Sequence, residues 1–475
     1  MNPIIQPIII PLVLIFLAFS TSNARIVGIA TIIGVWTNVI LIGWFLRPVF
    51  GEGPQVLHFI TGISIDRVAA VFIILTAIVT ACALSHAHLF FKREAIIDKQ
   101  LSQRHVCNFY ILSLLFYISM LSVFVCDNLG YLWISIEATT LTSATLVYFN
   151  RNKHALEATW KYLIICSVGI AFALLGTVCF YLSSKFGAIE GGTLSFSELT
   201  RVAPGLEPTY IRLGFIFCFL GYGTKAGVFP LHSWLPDAHS EAPAPASAML
   251  SGALLNCALF AIYRLAQIGH ASNQFVFSRE LLIFSGTLTV FSASIFLIRQ
   301  HGIKRLWAYS SVENVGLMLV AIGFNAIPAF LLQVINHSLA KVALFLVSGD
   351  VIQHQGTKEL SQIKGLKSTM PWRASLLIAS AVAITGAPPF GAFIAEWMIL
   401  SEAAGSGYWL VVFSLVISLS LAFIMVSFHT GRMLVGNSSV PTEHRFINCL
   451  IPLALISCSL VLGVSSGPAI IGIFK

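Results

Sequence analysis

Over 475 residues the chain is 57% hydrophobic and only 10% charged, with a mean hydropathy of +0.88. That leaves too little polar surface to cover a soluble body of this size, so soluble enzymes, nucleic-acid modules and disordered tails are excluded. The net charge of +8 bears first on which side of a membrane the basic residues mark.

The first apolar run, Ile4 to Ala18, has no basic residue before it, which reads as a retained membrane helix and not a cleaved signal peptide. A spanning helix needs about 20 mainly apolar residues. About fourteen stretches approach this: 4–20, 26–46, 68–91, 107–125, 129–148, 161–183, 209–229, 243–267, 281–299, 305–324, 327–349, 372–401 with an interruption, 407–428 and 447–465. The expected fold is an all-α polytopic membrane protein. The nine cysteines show no CxxC and no metal-ligand spacing, and most lie inside these runs as small apolar residues.

Lys and Arg fall into two groups between the stretches. Sixteen lie on one side: Arg25, Lys92, Arg93, Lys99, Arg104, Arg151, Lys153, Arg299, Lys304, Arg305, Lys358, Lys364, Lys367, Arg373, Arg432 and Arg445. Eight lie on the other: Arg47, Arg67, Lys185, Arg201, Arg212, Arg264, Arg279 and Lys475. The positive-inside rule puts the larger group in the cytoplasm and both termini on the periplasmic side of a bacterial inner membrane.

Three lysines remain, Lys161, Lys225 and Lys341, and sorting the acids in the same way leaves Glu137, Glu313 and Glu396 within spans. Each such group costs about 2.5 to 3.5 kcal/mol at a bilayer centre on insertion scales, so six are not accidental. In order they read Glu137 on the fifth helix, Lys161 on the sixth, Lys225 on the seventh, Glu313 on the tenth, Lys341 on the eleventh and Glu396 on the twelfth. Gly227, Pro230 and Pro236 end the seventh, and Gly386, Pro388, Pro389 and Gly391 break the twelfth. Helices 4–8 and 9–13 thus look like two five-helix units, each containing a broken helix. An odd number of spans per unit inverts the second unit, as in secondary transporters. The expected divisions are 1–105 (helices 1–3), 106–267 and 268–430 (the two repeats) and 431–475 (the last helix).

Lys225, in GYGTKAGVFPLHSW, combines burial, which lowers a lysine's proton affinity, with Glu137 as a partner that raises it. Varying their separation is a way to couple motion to proton movement; a static ion pair is the competing reading. Carbonyls freed by Pro230, or water, are expected to face the lysine. Lys161 either joins this path or snorkels from a helix start near His154 and Glu157. Lys341 follows His337 by four residues, which places both on one helical face as a relay or as a buried, hydrogen-bonded histidine beside a lysine. Glu313, in AYSSVENVGLML, is a relay residue or a packing residue with local serine partners. Glu396, just past the break in GAPPFGAFIAEWMIL, has the stronger claim to function. His232 and His239, with Asp237 and Glu241, fit no closed zinc pattern and read as loop or proton-access groups. His86 and His88 are assigned nothing. No Walker loop or GxGxxG is present, and no cofactor or metal is expected; the chain alone should do no redox chemistry.

At these residues the sequence resembles the antiporter-like proton-pumping subunits shared by respiratory complex I, membrane-bound hydrogenases and Mrp-type cation/proton antiporters. The similarity is specific in GYGTKAGVFPLHSWLPDAHSEAPAPASAMLSG, IKRLWAYSSVENVG, NHSLAKVALFLVSGD and GAPPFGAFIAEW. It covers roughly helices four to thirteen, and the short connections resemble the hydrogenase-linked component F branch. The resemblance implies that Glu137 and Lys225 form a glutamate/lysine pair, that Glu396 is the terminal carboxylate of the second half-channel, and that a hydrated axis runs in the membrane plane. The sequence departs from it at Asn256, where many relatives carry a lysine. Asparagine carries no proton charge, so a continuous relay then needs water, or His337 and Lys341, to span the gap.

The leading expectation is a proton-translocating subunit of a redox-driven assembly, with other membrane subunits of a hydrogenase- or complex I-like complex and the lipid bilayer as partners and no nucleic acid. The alternatives are an Mrp-type cation/proton antiporter component, with Glu137 and Glu396 on sodium, a proton-channel partner of a carbon dioxide-hydrating enzyme, and a scaffold with its charges locked in pairs.

Overall fold

Where apolar residues surround a segment on all sides, an α-helix satisfies each backbone N–H and C=O within the segment itself. The computed structural model of the protein describes residues 6–51, 56–60, 62–97, 101–187, 189–437, 440–443 and 446–465, and these are nearly all helical. The chain opens with α1 (Gln6–Ser20), α2 (Ala24–Phe50) and α3 (Arg67–Ile97). The Asn23 side chain starts α2 by accepting from the amides of Arg25 and Ile26. Between α2 and α3 lies a departure from an all-α fold, an antiparallel pair of β1 (Val56–Ile60) and β2 (Ile63–Asp66) with Leu57 opposite Ile65. Gly62 turns the hairpin with φ +85° against the Tyr131 ring, where a Cβ would come within 2.8 Å.

Next come α4 (Gln103–Phe124), α5 (Leu129–Val147), α6 (Lys153–Gly187), the short α7 (Phe196–Arg201), α8 (Pro208–Ala226) and α9 (Trp234–Glu241). α10 (Ala244–Met249) runs through a π-helical turn, Leu250–Leu254, into α11 (Leu255–Ala271). The rest is α12 (Phe275–Phe296), α13 (Ile303–Gly323), α14 (Ile327–Gln355), the short α15 (Leu366–Thr369), α16 (Pro371–Ile384), α17 (Gly391–Gly405), α18 (Trp409–Leu434) and α19 (Leu450–Ser465).

This is a multi-pass integral membrane protein. Among the described residues ten helices are long and apolar enough to cross a membrane. α1, α5, α8, α16 and α17 stand where the other expected spans lie, but are shorter or less apolar, so the expected fourteen is not reached by that measure. Both predicted interruptions are present. Gly227 ends α8 with φ +83°, and Gly386, with φ +65°, lies in the gap between α16 and α17.

The helix that runs from α10 through α11 is buried along all but its last turn, and α13 and α14 are buried along most of their length. Around them α2, α18 and α19 turn large apolar side chains outward, among them Trp44, Leu410, Phe413 and Val464, as a lipid-facing surface requires. Small residues let helices meet backbone to backbone. A Cβ on Gly221 of α8 would come within 2.5 Å of the Gly169 carbonyl oxygen on α6, and one on Gly316 of α13 within 2.7 Å of the Gly286 carbonyl oxygen on α12.

The two groups of basic residues occupy separate ends. Arg305 and Lys161 pair with Asp237 (2.5 and 3.3 Å), Lys358 pairs with Glu241 (2.6 Å), and Arg93 with Glu443 (2.6 Å). At the other end Arg264 pairs with Asp66 (2.5 Å) and Arg67 donates to the Val49 carbonyl. Lys99, Arg445, Lys475 and the two termini lie outside the described residues. Two members of the larger group are not surface marks. Lys304 is buried at the start of α13, and Arg373 is enclosed by Asp350 (2.8 Å) and Glu443 (3.3 Å).

Candidate functional site: a buried row of ionisable side chains

Lys225 sits on the last turn of α8 and is fully buried. The glycine contact between α8 and α6 brings it within reach of both α5 and α6. Its Nζ donates to Thr140 Oγ1 (2.8 Å) on α5 and to the Tyr162 hydroxyl (2.5 Å) on α6, 4.8 Å from the centre of the tyrosine ring. The Tyr162 hydroxyl also meets Ser143 Oγ (2.5 Å), and its ring packs on Trp234, 4.7 Å between centroids. Trp234 in turn donates to the Thr224 carbonyl (2.9 Å), fastening α9 back across the break to α8. The Thr224 carbonyl at the break is thus taken by Trp234 and by the Gly227 amide, and the lysine rests on hydroxyls.

Glu137 lies one turn before Thr140 on α5. Ser167 Oγ donates to its Oε1 at 3.4 Å, while Oε2 is buried with no hydrogen-bond partner. Glu137 is within electrostatic reach of Lys225, but the two form no ion pair among the described residues.

The second cluster is built on α13, α14, α9 and α17. Lys341, fully buried on α14, donates to the Trp307 carbonyl (2.7 Å) and to Ser310 Oγ, both on α13. One turn earlier, His337 is buried with neither ring nitrogen bonded. His239 on α9 stacks on Phe345 (4.8 Å) and lies within electrostatic reach of Lys341 and Lys304. Glu313 is buried on α13 within reach of Lys341 and Glu396. Neither Ser310 nor Ser311 bonds it, since their hydroxyls go to the Trp307 carbonyl and, for Ser311, to Ser251. Glu396 on α17 is buried against the break that precedes it, where a Cβ on Gly386 would overlap its carboxylate. α19 closes the far side: a Cβ on Gly463 would strike the Pro389 carbonyl oxygen, and Ser459 donates to Asn336 (2.8 Å).

Between the clusters stands Asn256, fully buried two residues past the π-helical segment, a type of irregularity common at functional sites. Its amide donates to the Gly252 carbonyl and to Ser338 Oγ, each at 2.9 Å, and its Oδ1 has no partner. Ser338 adjoins His337, so the gap is polar and uncharged.

Lys161 is placed elsewhere. α6 begins at Lys153, held by Asn152 accepting from the Ala155 amide (2.7 Å), and Lys161 is exposed, paired with Glu157 (2.6 Å) and Asp237. The structure thus carries the snorkelling reading, in a surface cluster with Arg305. His232 is buried in the turn before α9 against Phe229, Phe296 and Tyr309, apart from His239. Asp237 and Glu241 are occupied by ion pairs. Beside α9 opens a cavity of about 710 Å³ lined in part by Glu94, Arg151, Lys304 and Lys358; Lys304 donates to the Ala242 carbonyl (2.6 Å). Tyr162, Thr140 and Lys304 are the site residues the sequence reading did not single out. A tyrosine inside an apolar span next to Lys161 was the available signal for the first.

Residues 126–422 match the family model described as NADH:quinone oxidoreductase/Mrp antiporter, transmembrane. The chain belongs to this family. Its relatives include the hydrogenase-4 component F homolog of Methylacidiphilum infernorum, 41% identical over 58% of this chain and 59% of that protein, so the chain spans less than two thirds of that relative's length. NADH-quinone oxidoreductase subunit N of Desulforudis audaxviator is 27% identical over 86% of this chain and 81% of that one. Among solved structures, a chain of the membrane-bound sulfane sulfur reductase, an archaeal respiratory membrane complex, superposes with a TM-score of 0.87 at 23% identity, covering 99% of this chain and 95% of that one. That likeness is one of fold.

Proposed function

We propose that the chain is a proton-translocating, antiporter-like subunit of a redox-driven membrane assembly, and that Glu137, Lys225, His337, Lys341, Glu313 and Glu396 carry the proton. One observation supports this most: the buried lysines rest on neutral oxygens and are not locked against carboxylates. A hydroxyl or carbonyl partner serves both the charged and the neutral lysine, so a proton can leave or arrive without breaking an ion pair. A scaffold would pair its charges, as Asp350 pairs with Arg373 and Arg93 elsewhere in the molecule. On this reading the cavity lined by Glu241 and Lys304 admits protons from the end of α9 toward His239 and Lys341; Lys161 at the surface and His232 in the turn before α9 act as collecting groups. At Asn256 the path passes through water held by Asn256 and Ser338, which is how a side chain with no proton of its own is bridged.

On this reading the units are 106–267 and 268–430, inverted relative to each other, flanked by 1–105 and 431–475. The chain spans a bacterial inner membrane with both termini periplasmic. Its partners are other membrane subunits of a hydrogenase- or complex I-like assembly, which supply the redox chemistry and its cofactors.

The test uses inverted vesicles from cells making the whole assembly. Lys225→Ala is expected to cut coupled proton uptake by about tenfold or more, the scale of losing a positioned proton-transfer group, with the subunit present at normal level and uptake unchanged when sodium is replaced by choline. Unimpaired uptake in that variant would contradict the mechanism, and sodium dependence would favour the cation-antiporter reading.

A further inference from the structure

Outside the span matched by the family, a second pocket opens where the start of α2, the end of α3 and the start of α4 meet, with a volume of about 290 Å³. Arg25, His88, Lys92, Gln103 and Tyr110 line it, and no carboxylate does. Arg25 and Lys92 enter no ion pair among the described residues. Two cations gathered without a counter-charge are unfavourable unless an anion joins them.

The floor of the pocket supplies an independent sign. Tyr110 is 1% exposed and its hydroxyl has no hydrogen-bond partner, which buried hydroxyls seldom tolerate. Gly28 lets α2 come close to it: a Cβ there would lie 3.0 Å from the Tyr110 hydroxyl and 2.5 Å from His88 Nδ1. An unpaired hydroxyl and an imidazole nitrogen, both on side chains that line the pocket, therefore converge at Gly28. α2 and α4 both begin here, the Ala24 amide donating to Gln103 Oε1 (3.4 Å), so two helix starts add positive potential.

Size and surroundings select the ligand. The volume is at the small end for a ligand site, enough for a headgroup and not for a whole amphiphile. Next to Arg25, Ile26, Ile29 and Ile33 stand exposed at helical spacing along α2, an apolar track leading away from the pocket down the lipid-facing side. Arg25 and Lys92 belong to the basic group assigned to the cytoplasmic leaflet, where anionic lipids attract basic residues. We propose that the pocket binds the phosphate of an anionic phospholipid headgroup, with Arg25 and Lys92 matching its charge, the Tyr110 hydroxyl donating to a phosphate oxygen, and an acyl chain lying along Ile26, Ile29 and Ile33.

The test follows thermal unfolding of the full chain, purified in non-ionic detergent and stripped of lipid, during titration with phosphatidylglycerol, phosphatidylcholine or inorganic phosphate. Phosphatidylglycerol raises the melting temperature saturably and the other two do not. The double change Arg25→Gln with Lys92→Gln weakens the phosphatidylglycerol response about thirtyfold. Tyr110→Phe, which keeps the ring and its packing, weakens it about fivefold, while Arg47→Gln at the other end of α2 leaves it unchanged. Equal stabilisation by phosphatidylcholine, or wild-type affinity in Tyr110→Phe and the double variant, overturns the proposal. A shift reproduced by inorganic phosphate alone overturns the lipid assignment in favour of a soluble anion.

Discussion

Lys225 donates to Tyr162 and Thr140, and Lys341 to the Trp307 carbonyl and Ser310. These partners share a chemical property: none changes charge when the lysine loses its proton. The first cluster depends most on Tyr162, which links Lys225 to Ser143 and carries Trp234 on its ring face. Tyr162→Phe keeps that packing and removes the hydroxyl, leaving Thr140 to hold the ammonium alone. The expected result is a loss of about 1 to 3 kcal/mol in stability, from a buried polar group deprived of a partner, together with slower proton flux, read by thermal unfolding and vesicle acidification. A variant with normal stability and normal flux would show that the hydroxyl has no part in either. The lysines themselves were legible in the sequence, because a charge inside an apolar run is costly enough to be noticed. Tyr162 and Thr140 were not, since either residue is ordinary in a membrane helix and only the meeting of α5, α6 and α8 gives it a charge to hold.

At the scale of the helices, what matters is where each one stops and how near the next can come. The two breaks were readable because glycine and proline act locally: Gly227 ends α8 and Gly386 lies in the gap before α17, both with a left-handed backbone. The start of α6 was not. Its first nine residues carry Lys153, His154, Glu157 and Lys161, whose polarity hid a helix eight residues longer at that end than the apolar run suggested. That error of length moved Lys161 from a supposed span edge to the surface. Lys304 was misplaced in the opposite sense, since a lysine between two spans reads as a loop residue until α13 is seen to begin inside the protein. Close approach carries its own prediction. Gly316 faces the Gly286 carbonyl and Val290 across the α12–α13 seam, all within 2.8 Å of a would-be Cβ, and most of that barrier is backbone. Gly316→Val should cost about 1 to 3 kcal/mol or more by overpacking, lowering the melting temperature in detergent. An unchanged melting temperature would mean that the seam opens more easily than its contacts imply.

Over the whole molecule, composition alone was enough to identify a multi-pass membrane protein. The β1–β2 hairpin went unread because strands of five and four residues between long helices leave no periodic signal. The buried row itself was legible as a list of residues. What the sequence could not supply was the neighbourhood: Glu313 within electrostatic reach of Lys341 and Glu396, His239 within reach of Lys304 and Lys341, and Asn256 tied to Ser338. All of these join segments far apart in the chain. Buried groups so gathered carry protons only if bulk water reaches them. Glu396, buried at the second break with one carboxylate oxygen unbonded, is the most exacting place to ask. Infrared spectroscopy of the full chain in lipid, with Glu396→Gln to identify its band, should show a carboxyl signal that follows bulk pH and shifts on transfer to heavy water within seconds of mixing. A Glu396 band that stays fixed through both changes for hours, in protein that remains folded, would contradict the account.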